Sequence, residues 1–279
     1  MASNGVQLQT YVRNIACSKY DEERNPLSGR LETLIEDIKA SAAHVVVLLE
    51  AGRSSGDWSW TKMADFIETA TGLTYEGVMY ATSTPNSFGH AVFARRTHAH
   101  VVGISNAMSF RTTSPGGVQA TIVTVKPVML GSHPHDCMSL GVIHMPMGIE
   151  GRRAGVEWLI ANKERASVWV GDFNTFSDDI GPWMVQRLKE AGLRDLPCTQ
   201  PITFSAFEGD TLTVPLEKRD LLHPMCEVLS ETDTHVTVRP VSVLDHVFVQ
   251  ENVLVSFTAE FLPLTRASDH CGILVIAIF

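Results

Sequence analysis

The chain has 279 residues, 44% of them hydrophobic and 19% charged, and carries a formal net charge of -9. That is the composition of a globular protein, and no apolar run approaches the roughly 20 residues that a membrane-spanning helix needs. The acidic balance excludes a surface that grips nucleic acid non-specifically all over, which takes clustered Lys and Arg, but is compatible with a local basic groove. The opening MASNGVQLQT lacks the basic start and continuous apolar stretch of a secretory signal, so an intracellular protein, cytoplasmic or nuclear, is expected. Cys17, Cys137, Cys198, Cys226 and Cys271 are scattered and form no CxxC pair, which predicts buried thiols rather than a disulfide framework or a zinc ribbon.

No repeat, low-complexity tract or long charged run marks a boundary, so residues 1–279 are read as a single domain, and a monomer is expected. Ser28 can cap a helix whose apolar positions Leu31, Leu34, Ile35, Ile38 and Ala42 recur at three and four residues, and an unbroken strand from Val45 to Leu49 follows. A second amphipathic helix runs from about Asp57 to Ala70, with Trp60, Met63, Ala64 and Ile67 on one face and Gly72 as a left-handed cap. Strands are expected at about 74–80 and 89–95, then from Val118 to Val128 after the turn SPGG at 114–117, and from Met138 to Ile143. Helical pattern returns near 152–162, the strand Ser167 to Val170 follows, and Pro182 opens a helix that Gly192 can close. Pro197 to about Pro240 shows little period and reads as loop with short strands. Two strands finish the chain, Val243 to Val249 and the apolar CGILVIAIF at 271–279. Strands outnumber helices and the helices fall between them, which predicts an α/β chain with two sheets face to face and helices outside.

Apolar strands are repeatedly followed by polar clusters: VVVLL by Glu50, SLGVI by His144, VWV by GDFN (Gly171 to Asn174), VSVL by Asp245, and PLTRA by SDH (Ser268 to His270). Each alone has a bland reading, since an Asp after a strand commonly caps a turn and a lone His is commonly a satisfied core or surface group. Together they point to chemistry. Two carboxylates with Asn side chains suit a hard cation such as Mg2+, and two imidazoles supply donors for a phosphate.

The order of these motifs is RNI at 13–15, a helix with Arg30 leading to LLE at 48–50, FGHAVFARR at 88–96, the His144 segment, GDFN, LDHVFV at 244–249, and SDH. It resembles the endonuclease/exonuclease/phosphatase superfamily over nearly the whole chain. That group includes pancreatic-type deoxyribonucleases, abasic-site endonucleases, deadenylases, sphingomyelinases and inositol polyphosphate phosphatases. The resemblance implies a four-layer α-β-β-α sandwich of two mostly antiparallel mixed sheets, and metal-dependent hydrolysis of phosphate esters. It implies that Glu50, Asn14 and Asp269 hold Mg2+ or Mn2+, that Asp172 orients or deprotonates the attacking water, and that Asn174 contacts a phosphate oxygen. It further implies that Asp269 aligns the imidazole of His270, which reaches the scissile phosphate or the water, and that Asp245 pairs with His144, the second histidine. The candidate catalytic set is therefore Asp172, Asn174, His144, Asp245, Asp269 and His270.

A nucleic-acid phosphodiester, DNA or RNA, is the expected substrate on the breadth of nucleases in the family, and His144, standing where the abasic-site branch commonly has Tyr, leans towards the deoxyribonuclease, deadenylase and phospholipase branches. A phosphoinositide or sphingolipid phosphoesterase is the alternative, and it calls for a membrane-contacting loop that does not stand out, with loops 52–60 and 197–240 unassigned. A binding protein on an inactivated version of the fold is a third reading, but binding has no need of the acid, amide and imidazole set together. Two departures from the family stand out: Arg13 replaces the usual Trp or Phe, and Val243, Leu244, Asp245 and His246 replace an Arg-x-Asp-Tyr element. Strand alternation points His246 away from Asp245, a structural role. His98 with His100, and His133 with His135, are spaced as a metal pair could be but read as solvated loops or strand edges. Trp58, Tyr80, Arg95, Arg96, Arg111 and Trp183 are candidates for substrate contact, Arg111 for phosphate, while Arg152 and Arg153 read as a solvated helix face.

Overall fold

Runs of Val, Ile and Leu become strands, and segments with apolar residues three or four apart become helices, in the computed structural model. It describes residues 5–15, 27–51, 60–80, 89–109, 119–130, 136–175, 180–198, 200, 202–205, 212–216, 226–265 and 268–279. The first half holds β1 (Gln7–Asn14), α1 (Leu27–Ser41), β2 (Val45–Ala51), α2 (Trp60–Thr71), β3 (Thr74–Tyr80), β4 (Gly89–Ala94), β5 (Ala99–Ser109) and β6 (Gln119–Pro127). The middle holds β7 (Met138–His144), α3 (Ile149–Asn162), β8 (Val168–Asp172), α4 (Ile180–Glu190) and β9 (Leu193–Asp195). The last third holds β10 (Phe204–Ser205), β11 (Leu212–Pro215), β12 (Cys226–Glu231), β13 (His235–Ser242), β14 (Asp245–Gln250), β15 (Ser256–Phe261) and β16 (Ile273–Ile278).

Two six-stranded sheets dominate, in the orders β15-β16-β1-β2-β4-β3 and β5-β6-β7-β8-β14-β9. Each is antiparallel except for one parallel pair, β1 with β2 and β7 with β8, and each parallel pair is joined through a helix. Strand alternation divides the apolar residues between layers. Val45, Val47 and Leu49 of β2 and Val168 and Val170 of β8 face into the space between the sheets, together with Val12, Val92, Val142 and Val247. Val46 and Leu48 face the other way, onto Leu34, Ile35 and Ile38 of α1 and Met63, Ala64 and Ile67 of α2. Trp169 and Ile143 pack under Val156 and Leu159 of α3 and Met184 and Leu188 of α4. The result is the four-layer α-β-β-α sandwich expected from the sequence.

The structure departs from expectation in several places. The strand β5 escaped notice because irregularities at Val101/Gly103 and Asn106/Met108 break its period of two. The edge strand β15 was also missed, its alternation being short and half exposed. The segment read as loop instead builds a separate four-stranded sheet, β10-β13-β11 with β12 on β13, whose outer strand exposes Val228 and Leu229. Helix α1 opens at Leu27, which places Ser28 inside its first turn; α3 opens at Ile149, ahead of the expected 152. Gly72 and Gly192 have φ of 68° and 83° and close α2 and α4 as left-handed caps. No helix among the described residues is long and apolar enough to cross a membrane. The turn expected at 114–117 and the start of α2 expected at Asp57 lie outside the described residues.

Both parallel pairs deliver their carboxyl ends to the same edge of the sandwich, the usual place for a ligand in sheets of this kind. Gly171 makes that convergence tight. Its φ is 138°, and a Cβ there would lie 2.2 Å from the Ile143 carbonyl oxygen on β7. Gly171→Ala is therefore expected to destabilise the protein by about 3 kcal/mol, from backbone strain and overpacking together. Urea denaturation of the two proteins measures it, and an unchanged midpoint contradicts the assignment.

Candidate active site

Alternation and register bring the polar strand ends together. On the second sheet, His144 pairs in register with Asp172, and Asp172 with Asp245. The three stand side by side across β7, β8 and β14 on the face that Val142, Val170 and Val247 line deeper in. On the first sheet, Asn14 continues the inward face of Val12, and its amide nitrogen donates to Glu50 Oε1 at 3.1 Å and to Asp172 Oδ2 at 3.1 Å. That side chain spans the two sheets.

Glu50 follows the inward-facing Leu49, so simple alternation would send it towards the helices. Instead it lies where the pairing of β2 with β4 shifts register between Leu48 and Ala51, and its φ is 51°. A left-handed non-glycine residue costs about 1–2 kcal/mol, and such costs gather at functional sites. Here the turn brings Glu50 Oε1 within 3.4 Å of His144 Nε2. Asn174, at φ 48°, is another left-handed residue. Its backbone N–H donates to Asp172 Oδ1 at 2.8 Å and its amide to the Met145 carbonyl at 2.5 Å. One amide hydrogen of Asn174 is thus committed to the Met145 carbonyl.

The segment 268–270 is stapled across these ends. Ser268 Oγ donates to the Asn14 carbonyl at 2.5 Å, the Ser205 N–H to the Asp269 carbonyl at 2.8 Å, and the Cys271 N–H to the Thr203 carbonyl at 2.7 Å. His270 is thereby placed with Nδ1 at 3.0 Å from Asp245 Oδ2 and Nε2 at 3.6 Å from Asp172 Oδ2. Two pairings expected from the resemblance are corrected by this geometry. Asp245 meets His270 rather than His144, because Asp172 lies between His144 and Asp245 in the row. The carboxylate aligning His270 is accordingly Asp245, whereas Asp269 Oδ1 lies 3.3 Å from the Ser268 hydroxyl oxygen.

The electrostatics follow from burial. Asp172, Asp245, Asp269 and His270 are all buried. Burial raises the Asp172 pKa, the His270 and His144 imidazoles pull it back in part, and Asp245 raises it further. Burial works against charge on His270, but Asp245 and Asp172 outweigh it and push its pKa up to about 10. An imidazolium at neutral pH therefore stands between two carboxylates. Asp172, Asp245 and His270 also offer ligand atoms all within 4.8 Å of one another, but His270 could serve a cation only after giving up its proton, so the two carboxylates are the groups of this trio suited to a hard cation. This group differs from the expected cation set of Glu50, Asn14 and Asp269, which adjoins it through the Asn14 amide on Asp172.

Several supporting residues escaped sequence reading. Arg152 is buried and donates to the Asn174 carbonyl at 3.0 Å, which corrects its reading as solvated; only Arg153 is exposed. The clue was periodic, since Arg152 shares a helical stripe with the buried Gly155, Val156 and Leu159. Thr203 Oγ1 accepts from the Leu244 and Asp245 N–H groups at 2.9 and 3.0 Å and fixes the start of β14. His90 is fully buried in the inward position of β4 next to Val92 in alternation, and its burial lowers its pKa well below 6.5. His246 packs between Phe173 and Phe248 and bonds Thr175 Oγ1 at 2.8 Å, a structural arrangement. His98 stacks on His44 with ring centroids 4.7 Å apart. Arg96 pairs with Glu76, and Arg95 reaches the Thr71 carbonyl at the end of α2. Trp183 is partly exposed in the first turn of α4. Trp58, Arg111, His133 and His135, and the Tyr80 side chain, lie outside the described residues. Cys137, Cys198 and Cys271 are free thiols, and burial raises the pKa of Cys271.

The sequence profile described as "Endonuclease/Exonuclease/phosphatase family" matches residues 14–270, from the first to the last side chain of this cluster. The chain belongs to that family. Family members are phosphoesterases and nucleases. Solved structures with the same fold include TDP2 of D. rerio in complex with a single-strand DNA product, at 12% identity and TM-score 0.59, covering 98% of this chain and 99% of that one. The human nocturnin catalytic domain with a bound sulfate anion gives 14% identity and TM-score 0.61, with 98% and 93% covered. The mannosyl-6-phosphatase Bt3783 of Bacteroides thetaiotaomicron gives 13% identity and TM-score 0.60, with 98% and 100% covered. No curated protein sequence matches the chain significantly.

The raised His270 pKa fixes the sign of a pH effect in the metal-free family fold. Its stabilising contribution is fully present below about pH 6.5 and is lost as the pH rises towards about 10. In EDTA, denaturation midpoints of the wild type should fall across that window more steeply than those of His270→Gln, which has no proton to lose. Parallel curves for the two proteins contradict the pairing.

Proposed function

We propose that this protein is a divalent-metal-dependent phosphodiesterase acting on nucleic acid. The observation that carries the reading is the fixed row of His144, Asp172 and Asp245 with His270 held between the two carboxylates, facing Asn14 and Glu50 of the other sheet. Glu50, Asn14 and Asp269 would hold Mg2+ or Mn2+, which when bound neutralises phosphate charge and polarises a phosphoryl oxygen. Asp172 orients the water for in-line attack and takes up its proton as the new P–O bond forms, while the opposite P–O ester bond breaks and the leaving oxygen departs, taking a proton from solvent. The His270 imidazolium, kept charged by Asp245, binds the negative charge that develops on the phosphoryl oxygens. His144 and the Asn174 amide lie on the same side and contribute further donors.

A nucleic-acid substrate is supported by the fold shared with TDP2, whose structure holds a single-strand DNA product. The mannosyl-6-phosphatase of the same fold makes a phosphate monoester the reading to test against it. The full set of acid, amide and imidazole groups favours a working enzyme over a binding protein.

The purified protein is assayed with Mg2+, Mn2+, Ca2+ or EDTA on single- and double-stranded DNA, RNA, poly(A), inositol phosphates, sphingomyelin and mannose 6-phosphate. Turnover of a nucleic acid that EDTA abolishes is the expected result. Asp172→Asn and His270→Ala should each lower kcat on the best substrate by about 100-fold or more while leaving the circular dichroism spectrum unchanged. Near-normal kcat in either variant removes the role assigned to that residue, and turnover confined to monoesters or lipids removes the substrate class.

A further inference from the structure

Behind the row of reacting groups lies a second, separate constellation. Arg13 precedes Asn14 on β1 and points to the opposite face, towards α1, where its side chain is almost completely buried. Its guanidinium is a hub. Nε donates to the His270 carbonyl at 3.0 Å, Nη2 to Thr265 Oγ1 at 3.0 Å, and Nη1 to Asp37 Oδ2 of α1 at 2.5 Å and to the Tyr11 hydroxyl at 3.2 Å. The Thr265 hydroxyl in turn donates to Asp37 at 2.6 Å, which closes a ring of three partners. Tyr11 also lies against the chain just beyond His270, where a Cβ on Gly272 would fall 2.6 Å from its ring.

We propose that Arg13 is a positioning residue for the reaction: its planar fork ties the main chain of His270 to helix α1 and so sets the imidazole between Asp172 and Asp245. Four partners in different directions are what a guanidinium can serve and an ammonium cannot. Two adjacent residues of β1 thus act on the site from opposite sides. Asn14 reaches the carboxylates from within, and Arg13 holds the backbone of the facing histidine from without. The Ser268 hydroxyl on the Asn14 carbonyl supplies a second tie on the same segment, so the backbone on which His270 sits is fixed at residues 268 and 270. Only the separation of Nδ1 and Nε2 from the two carboxylates then remains to be set, and the guanidinium sets it through the His270 carbonyl.

This inference rests on the phosphodiesterase reading for its kinetic arm alone. Removing Arg13 by itself leaves Asp37 with a half-buried charge and threatens folding, so the informative variant is the double replacement Arg13→Met with Asp37→Leu. Exchange of a buried ion pair for apolar residues of similar size is commonly tolerated. Turnover of bis(p-nitrophenyl) phosphate with Mg2+ and the long-range proton–nitrogen spectrum of the His270 ring in metal-free protein are measured on wild type, the double variant, Arg13→Lys and Thr265→Val. The double variant is expected to fold with a native dichroism spectrum, to lose about tenfold or more in kcat with KM little changed, and to show the His270 ring nitrogens displaced from their wild-type shifts. Arg13→Lys should fail to restore either readout, and Thr265→Val should move both in the same direction by less. A His270 ring spectrum identical to wild type in the folded double variant overturns the proposal, as does unchanged kcat. Should the wild type itself not turn over the phosphodiester, the functional reading falls, while the ring spectrum still decides the clamp.

Discussion

A carboxylate withdrawn from water has to be given partners, and Asp172 is such a carboxylate. It stands at the end of β8 with His144 and Asp245 on the neighbouring strands, the Asn14 amide opposite and His270 alongside. No single element can supply that many partners. The two sheets have to meet at this edge, the bulge has to turn Glu50 inward, and the 268–270 segment, which links two strands of the first sheet, has to reach over to the second. Each of these features is locally costly or locally arbitrary, and each becomes intelligible once the buried charge is placed first. The same logic explains the imidazolium: His90, buried with His144 as its charged neighbour, has its pKa driven down, whereas Asp245 and Asp172 drive that of His270 up.

Much of this was legible in the sequence, for identifiable reasons. Periodicity located most of the strands of both large sheets and the four α-helices of the described residues, because burial on one face writes itself into the spacing of Val, Ile and Leu. The polar residue closing each strand was visible for the same reason, as a break in an apolar run. Which polar residue meets which was not. The neighbours of Asp245 depend on the order β7-β8-β14, a long-range property that no local pattern encodes, and so its imidazole partner was misassigned. Arg13 and Arg152 were opaque for a related reason: a buried arginine looks like a surface one until its acceptors, here a histidine carbonyl and an asparagine carbonyl, are brought to it.

The two parallel pairs deserve comparison as units. Strand, helix α1 and strand carry Asn14 and Glu50 at their carboxyl ends; strand, helix α3 and strand carry His144 and Asp172 at theirs. Neither unit holds a complete set of groups. The first offers an amide and a carboxylate, and the second an imidazole and a carboxylate. The cluster is therefore divided between the sheets by the topology, and the later strands complete it with Asp245 and the SDH segment.

That division has a consequence for what the hydrophobic layer between the sheets does. The Asn14 amide bridges Glu50 and Asp172 with 3.1 Å to each, a span that tolerates little sliding. Valines buried far below the rim, at 47, 142 and 170, are then part of the alignment mechanism even though none approaches a reacting atom. Exchanging one of them for a smaller or larger aliphatic side chain shifts one leaf against the other, and the pocket, which belongs to the seam rather than to either leaf, reads out the misfit first.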